Sequence, residues 1–221
     1  MAEKVADELF ESIIGQLFEI GHQIQQPNGY PYDPKKLQRH LQAAIEGKFG
    51  ECWKERKNEI LELVGSTRIT ATTERFVVTE HFQVNTGANT LVKISWIGDN
   101  FRNWFLDLVE EPIDESVLDY YLLKESSLDV TIIKALGGEL KAETKLTHVF
   151  ALMKLQRSGE KGALLNNGYP NVFYVRDSKN VLRAVAVYGY WDGLHVHADS
   201  VSHPRGWGDG GRVFSSNSCD S

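Results

Sequence analysis

From residue 163 to residue 215 the chain is a succession of short runs, at 163–165, 171–176, 181–188, 194–201 and 212–215, rich in Val, Ala, Tyr and Phe. Turn residues separate them. The connections at 177–180 and 191–193 are short enough for tight hairpins, which predicts a C-terminal antiparallel β-meander. A strand over 194–201 sends alternate side chains to opposite faces. His195, His197 and Asp199 then share one face, and Val196 and Ala198 take the other.

The first third of the chain has a different period. Val5, Leu9, Ile13, Leu17, Ile20 and Ile24 recur at three- and four-residue steps, which predicts an amphipathic helix over 3–25. Asp33 and Pro34 open a second helix that runs to about Glu46, and a third spans 52–64 and stops at Gly65-Ser66. The middle is mixed. Runs at 68–72, 75–84 and 91–97 read as strands, the last two joined as a hairpin across Asn85, Gly87 and Asn89. Asp99 is placed to cap a short helix at 101–106, and 116–124 reads as a strand. Asp129 is placed to cap a helix ending at Gly137-Gly138. A further helix over 144–156 puts Leu146, Val149, Phe150 and Met153 on one face. The expectation is an α+β fold: N-terminal helices over 1–65, then an α+β domain over 66–221 with a mixed middle segment and the antiparallel sheet at its end.

At 221 residues, 42% hydrophobic and 24% charged, the chain is long enough to bury a core without disulfide or metal staples. The formal net charge of -6 repels phosphate backbones. The basic residues between 35 and 57 are interleaved with Glu46, Glu51, Glu55 and Glu59, as on solvated helix faces, so composition argues against nucleic acid as a partner. Cys52 and Cys219 are the only cysteines, and the second lies in the terminal tail, which suits a reducing compartment. The N-terminal residues lack the apolar core of a signal peptide, and no apolar run approaches a membrane span. A soluble, cytoplasmic protein is expected, with no membrane partner.

The segments FQVNTGANTLVKISWIGDNFRNWFL, LGGELKAETKL, GEKGALLNNGYPNVFYVRD and RVFSSNS resemble a group of uncharacterised proteins predicted from uncultured bacterial genomes. The resemblance covers about residues 75–218. It implies a bacterial, cytoplasmic origin and carries no activity, ligand or catalytic residue with it.

Three patterns bear on chemistry. His195, His197 and Asp199, with His203 folding back, offer the donors that Zn, Fe or Mn take. Gly189 ahead of His195-x-His197 is similar to the first metal motif of cupin barrels, but Val201 and Ser202 stand where the cupin carboxylate belongs. The plainer reading sets these histidines on the solvent side of a half-buried strand. Asp129 with Glu139 and Lys141 imitates a Mg²⁺-nuclease constellation, yet Glu139 and Lys141 follow a helix-ending Gly-Gly turn rather than lying on a core strand. The glycine-rich 206–211 precedes a strand, whereas a phosphate cradle precedes a helix. No P-loop lysine, G-x-S-x-G elbow or Cys-x-x-Cys occurs.

Tyr188, Tyr190, Trp191 and Trp207 cluster at the last hairpins, as core residues or as a recognition surface. The sequence therefore points to a non-enzymatic protein that associates with another protein or with itself and needs no cofactor. Tyr190, Trp191 and Trp207 are its candidate contact surface. The alternative is a metal-dependent enzyme or metal-binding protein holding a transition metal such as Zn on His195, His197, Asp199 and His203.

Overall fold

The structure, a computed structural model, describes residues 60–156 and 160–216. The helices expected over 3–25 and 34–46, and most of the one expected over 52–64, lie outside the described residues. The described part begins with β1 (Leu61–Ile69), β2 (Phe76–Val77), the single turn α1 (Val78–His81), β3 (Ile94–Ile97) and α2 (Asp99–Phe105). It continues through β4 (Val109–Glu110), β5 (Ser116–Leu123), α3 (Asp129–Leu136), α4 (Glu139–Ala142) and β6 (Glu143–Thr144). Helix α5 (Leu146–Leu155) precedes β7 (Pro170–Arg176), β8 (Leu182–Tyr190), β9 (Gly193–Ser200) and β10 (Arg212–Ser216).

Eight strands form one sheet in the order β1-β5-β10-β7-β8-β9-β3, with β6 beside β7; β2 and β4 pair separately. The β7–β8–β9 meander runs antiparallel as expected, from Pro170 opposite Tyr188 to Tyr190 opposite Gly193. Its turns explain why. The Asp177 carboxylate accepts the Lys179 and Val181 N–H groups at 2.9 Å and the Arg183 Nε–H at 2.8 Å. Asn180 takes the left-handed conformation, φ 60°, that a short amide side chain tolerates. The β8–β9 connection has only Trp191 and Asp192 between paired residues. Gly193 follows at φ 138°, where a Cβ would lie 3.0 Å from the Lys93 carbonyl oxygen.

Alternation along these strands builds two cores. Phe173, Val185, Val187, Val196 and Phe214 face one way, against Phe101 and Phe105 of α2 and Leu146, Val149, Phe150 and Met153 of α5. Val172, Tyr174, Ala184 and Val213 face the other way, against Ile132 and Ile133 of α3 and Ala142 of α4. The fold is α+β, with one sheet face filled by α1, α2 and α5 and the opposite face covered by α3 and α4.

Several expectations are corrected. Residues 61–64 are strand, not the end of a helix, because β1 lies antiparallel on β5; a register shift between Leu63 and Gly65 lets the Tyr120 ring lie over Gly65. The expected hairpin of 75–84 with 91–97 reduces to one bridge, Asn85 to Ile94. Val78 and Phe82, four residues apart, are both buried, and the helical turn of α1 carries them into the core. Gly98, not Asp99, is the N-cap of α2, and Leu128, not Asp129, that of α3.

Residues 163–165 form no strand. The Asn171 side chain stands in for the ladder there, accepting the Leu165 N–H at 2.7 Å and donating to the Leu165 carbonyl at 2.9 Å. The terminal sheet is not a separate antiparallel unit either. β10 inserts between β5 and β7, parallel to β7, and β3 joins the far edge parallel to β9. Strands of the mixed middle segment thus complete the terminal sheet.

Candidate binding surface

Helices α3 and α4 leave the β8–β9–β3 end of their sheet face open. There the pairing register brings Tyr188, His195 and Trp96 into one row across three strands, with His197 two residues further along β9. Each imidazole sits between two rings. His197 lies 4.3 Å from the Trp96 ring and 5.1 Å, edge-on, from Tyr188. His195 lies 4.6 Å, edge-on, from Tyr190 and 6.0 Å from Trp96. Such geometries exploit the negative ring face and positive ring edge.

The local sequence dictates this arrangement. Val196 and Ala198 are buried, so their neighbours on β9 must point outward. Gly98 follows β3 at once, and a Cβ there would stand 2.8 Å from the Trp96 ring, so glycine leaves the indole room to lie back along the sheet. Asp192 in the tight turn holds the His195 ring through a 3.4 Å contact between Oδ2 and Nε2.

Burial, reinforced by the neighbouring His195, pushes the His197 imidazole below its usual range. Burial also pushes the Tyr188 hydroxyl up to about 12, with Tyr190 and Asp199 adding to the effect. Both groups are therefore neutral near pH 7, and the patch is apolar in character. It is also uncovered: Trp96 is 41% exposed, Tyr190 45% and Trp191 98%. The core alternative weighed for the hairpin aromatics does not hold for Tyr190 and Trp191. Trp191 lies in the two-residue turn with no sheet beneath it, and Tyr190 is the last paired residue of β8, at the end of the sheet.

The expected site residues divide into two places. His195, His197 and Asp199 do share one face. His203 is turned into its own loop, where Nδ1 accepts the Arg205 N–H at 3.1 Å. Among the described residues, no group of three His, Cys, Asp or Glu side chains is arranged to hold a metal ion. Trp207 also lies elsewhere. Its indole Nε1–H donates to Asp129 Oδ1 at 2.7 Å, and the same oxygen accepts the Tyr174 hydroxyl at 2.9 Å. Burial raises the Asp129 carboxyl, against the pull of those two bonds. Sequence reasoning missed Trp96, whose strand was assigned to a local hairpin instead of to β9.

Two other constellations do not make catalytic sites. Glu139 and Glu143 both bind Arg176, at 3.2 Å and 2.8 Å, while Asp129 is engaged by Tyr174 and Trp207, so the nuclease-like residues do not converge. Ser116 Oγ lies 3.4 Å from His148 Nε2, a spacing suggestive of a nucleophile and its base. However, His148 Nδ1 accepts the Lys145 N–H at 3.2 Å, so in the neutral ring the proton sits on Nε2. Burial lowers His148 to about 4 and keeps it neutral. That tautomer donates to Ser116 and cannot deprotonate it.

Comparison with protein-family models, with curated proteins and with solved structures finds no match to this chain. Among the described residues no helix is long and apolar enough to cross a membrane.

Proposed function

We propose that this chain acts by protein association, docking a second protein surface on the open aromatic and imidazole face, and not by catalysis. The observation that carries the reading is the exposed ring cluster itself: Trp96, 41% exposed, and Tyr190, 45%, packed with Tyr188, His195 and His197, with Trp191, 98% exposed, in the turn that follows Tyr190. Covering an indole of roughly 200 Å² releases about 5 kcal/mol at ~25 cal/mol per Å². Nothing within the described part of the chain takes up that free energy. The rings are rigid and already ordered by one another, so docking immobilises few rotamers. Contact surfaces favour this composition: aromatic side chains, no unpaired charge at the centre, and a polar rim, here Asp192 and Asp199.

The test is a photo-crosslinking residue at position 191, used in living cells, with Trp96→Ala/Tyr190→Ala as the control background. A discrete adduct that the control background abolishes is the expected result, and a doubled mass would identify the partner as a second copy. The reading fails if position 191 forms no adduct, or the same adducts in both backgrounds. Sedimentation velocity across the micromolar range tests the self-association arm separately.

A further inference from the structure

On the side of the sheet opposite the aromatic face, a cleft of about 540 Å³ opens between residues 68–76 and α5. That volume falls in the range of small-molecule sites. Its floor is apolar and ordered: the Phe76 and His81 rings stack at 4.3 Å and 16°, and Phe150 closes on His81 at 4.8 Å. Two aliphatic side chains in its lining stay in water, Leu91 at 47% and Leu155 at 62% exposure.

Charge in the lining runs against that of the chain. Arg68, Arg75 and Lys154 face one carboxylate, Glu74, whereas the whole protein carries -6. Two of these cations are already engaged, Arg68 by Glu115 and Arg75 by Glu111, each at 3.0 Å. Lys154 has no carboxylate partner among the described residues. It stands next to Leu155 on the exposed side of α5, so a charged anchor and an uncovered apolar surface occur side by side.

We propose that this cleft binds a small amphipathic anion. Its head group meets the Lys154 ammonium and its apolar body covers Leu91, Leu155 and the edge of the Phe150 floor. An uncharged apolar ligand would leave Lys154 unused. A polyanion such as nucleic acid would find in the cleft, among the described residues, only one cation not already held by a carboxylate, and no row of them.

The probe is anilinonaphthalene sulfonate, an aryl anion, titrated into the full chain by fluorescence. One saturable equivalent is expected. Lys154→Glu and Leu155→Asp should each weaken binding about tenfold or more. Both positions are exposed, and far-UV circular dichroism checks that the variants fold. Lys154→Arg should keep the affinity, as should Trp96→Ala/Trp191→Ala, which alters only the other face. Displacement by octanoate or by octyl phosphate then tells a carboxylate from a phosphate head group. The proposal is overturned if the probe does not saturate at one equivalent, if Lys154→Glu binds as the parent does, or if the aromatic-face variant loses the probe instead.

Discussion

Single residues decide how the two sheet faces are held, and Asp129 shows how. Its buried Oδ1 accepts from both Tyr174 and Trp207, tying α3, β7 and the 206–211 loop together. Asp129→Ala would strand both donors. Because the indole is half-buried and partly reaches water, the expected loss is about 2–3 kcal/mol. Asp129→Asn keeps the acceptor oxygen and removes a charge that burial disfavours, so it should stay within about 1 kcal/mol of the parent. Urea unfolding of the two variants checks this; equal losses would mean that the charge itself, not the shared acceptor, holds the loop. The same logic governs His197. Its imidazole is neutral and wedged between Trp96 and Tyr188, which suits a contact surface better than a free metal ligand.

At the scale of elements, close packing against glycine sets the path of the strand that carries Tyr188 and Tyr190. A Cβ at Gly189 would lie 2.7 Å from the Asn166 Cα, so β8 passes directly over the 165–166 backbone. Gly189→Ala should cost about 1–3 kcal/mol and disturb the adjoining Tyr190. Calorimetry together with the tyrosine NMR signals would test it, and an unshifted melting temperature would argue against so close a crossing.

What the sequence made legible, and what it did not, follows the range of the interactions. The β7–β8–β9 meander was readable because alternation and tight turns are local. The outward histidines of β9 followed from Val196 and Ala198 pointing in. Helix α5 was readable from Leu146, Val149, Phe150 and Met153. The parallel partners β10 and β3 were not, since pairing across distant parts of the chain leaves no local pattern. Residues 76–82 misled for another reason: Phe76 and Val78 fit a strand, Val78 and Phe82 fit a helical turn, and only the core decides. The open aromatic face was half visible, because Trp96 reaches it through β3.

At the scale of the molecule, three histidines among the described residues, His81, His148 and His197, are held below their usual range chiefly by burial. The folded state therefore binds fewer protons than the unfolded chain below about pH 6.5. Their contribution to stability is present above that pH and is lost as pH falls, for His148 down to about 4. His148 alone should account for about 2 kcal/mol of lost stability between about pH 7 and about pH 5. His148→Gln, which keeps an acceptor for the Lys145 N–H, should flatten that slope in denaturant unfolding. An unchanged slope would place the acid sensitivity elsewhere.

The neutrality of His197 and Tyr188 near pH 7 gives the open face its character: an ordered aromatic centre with Asp192 and Asp199 at its rim. Hydroxyl-radical footprinting of Trp191 and Trp96, on the purified chain and inside cells that express it, tests that surface most directly. Oxidation of both indoles in dilute solution and protection of both in the cell is the outcome expected of a docking face. Equal oxidation in the two settings would contradict it.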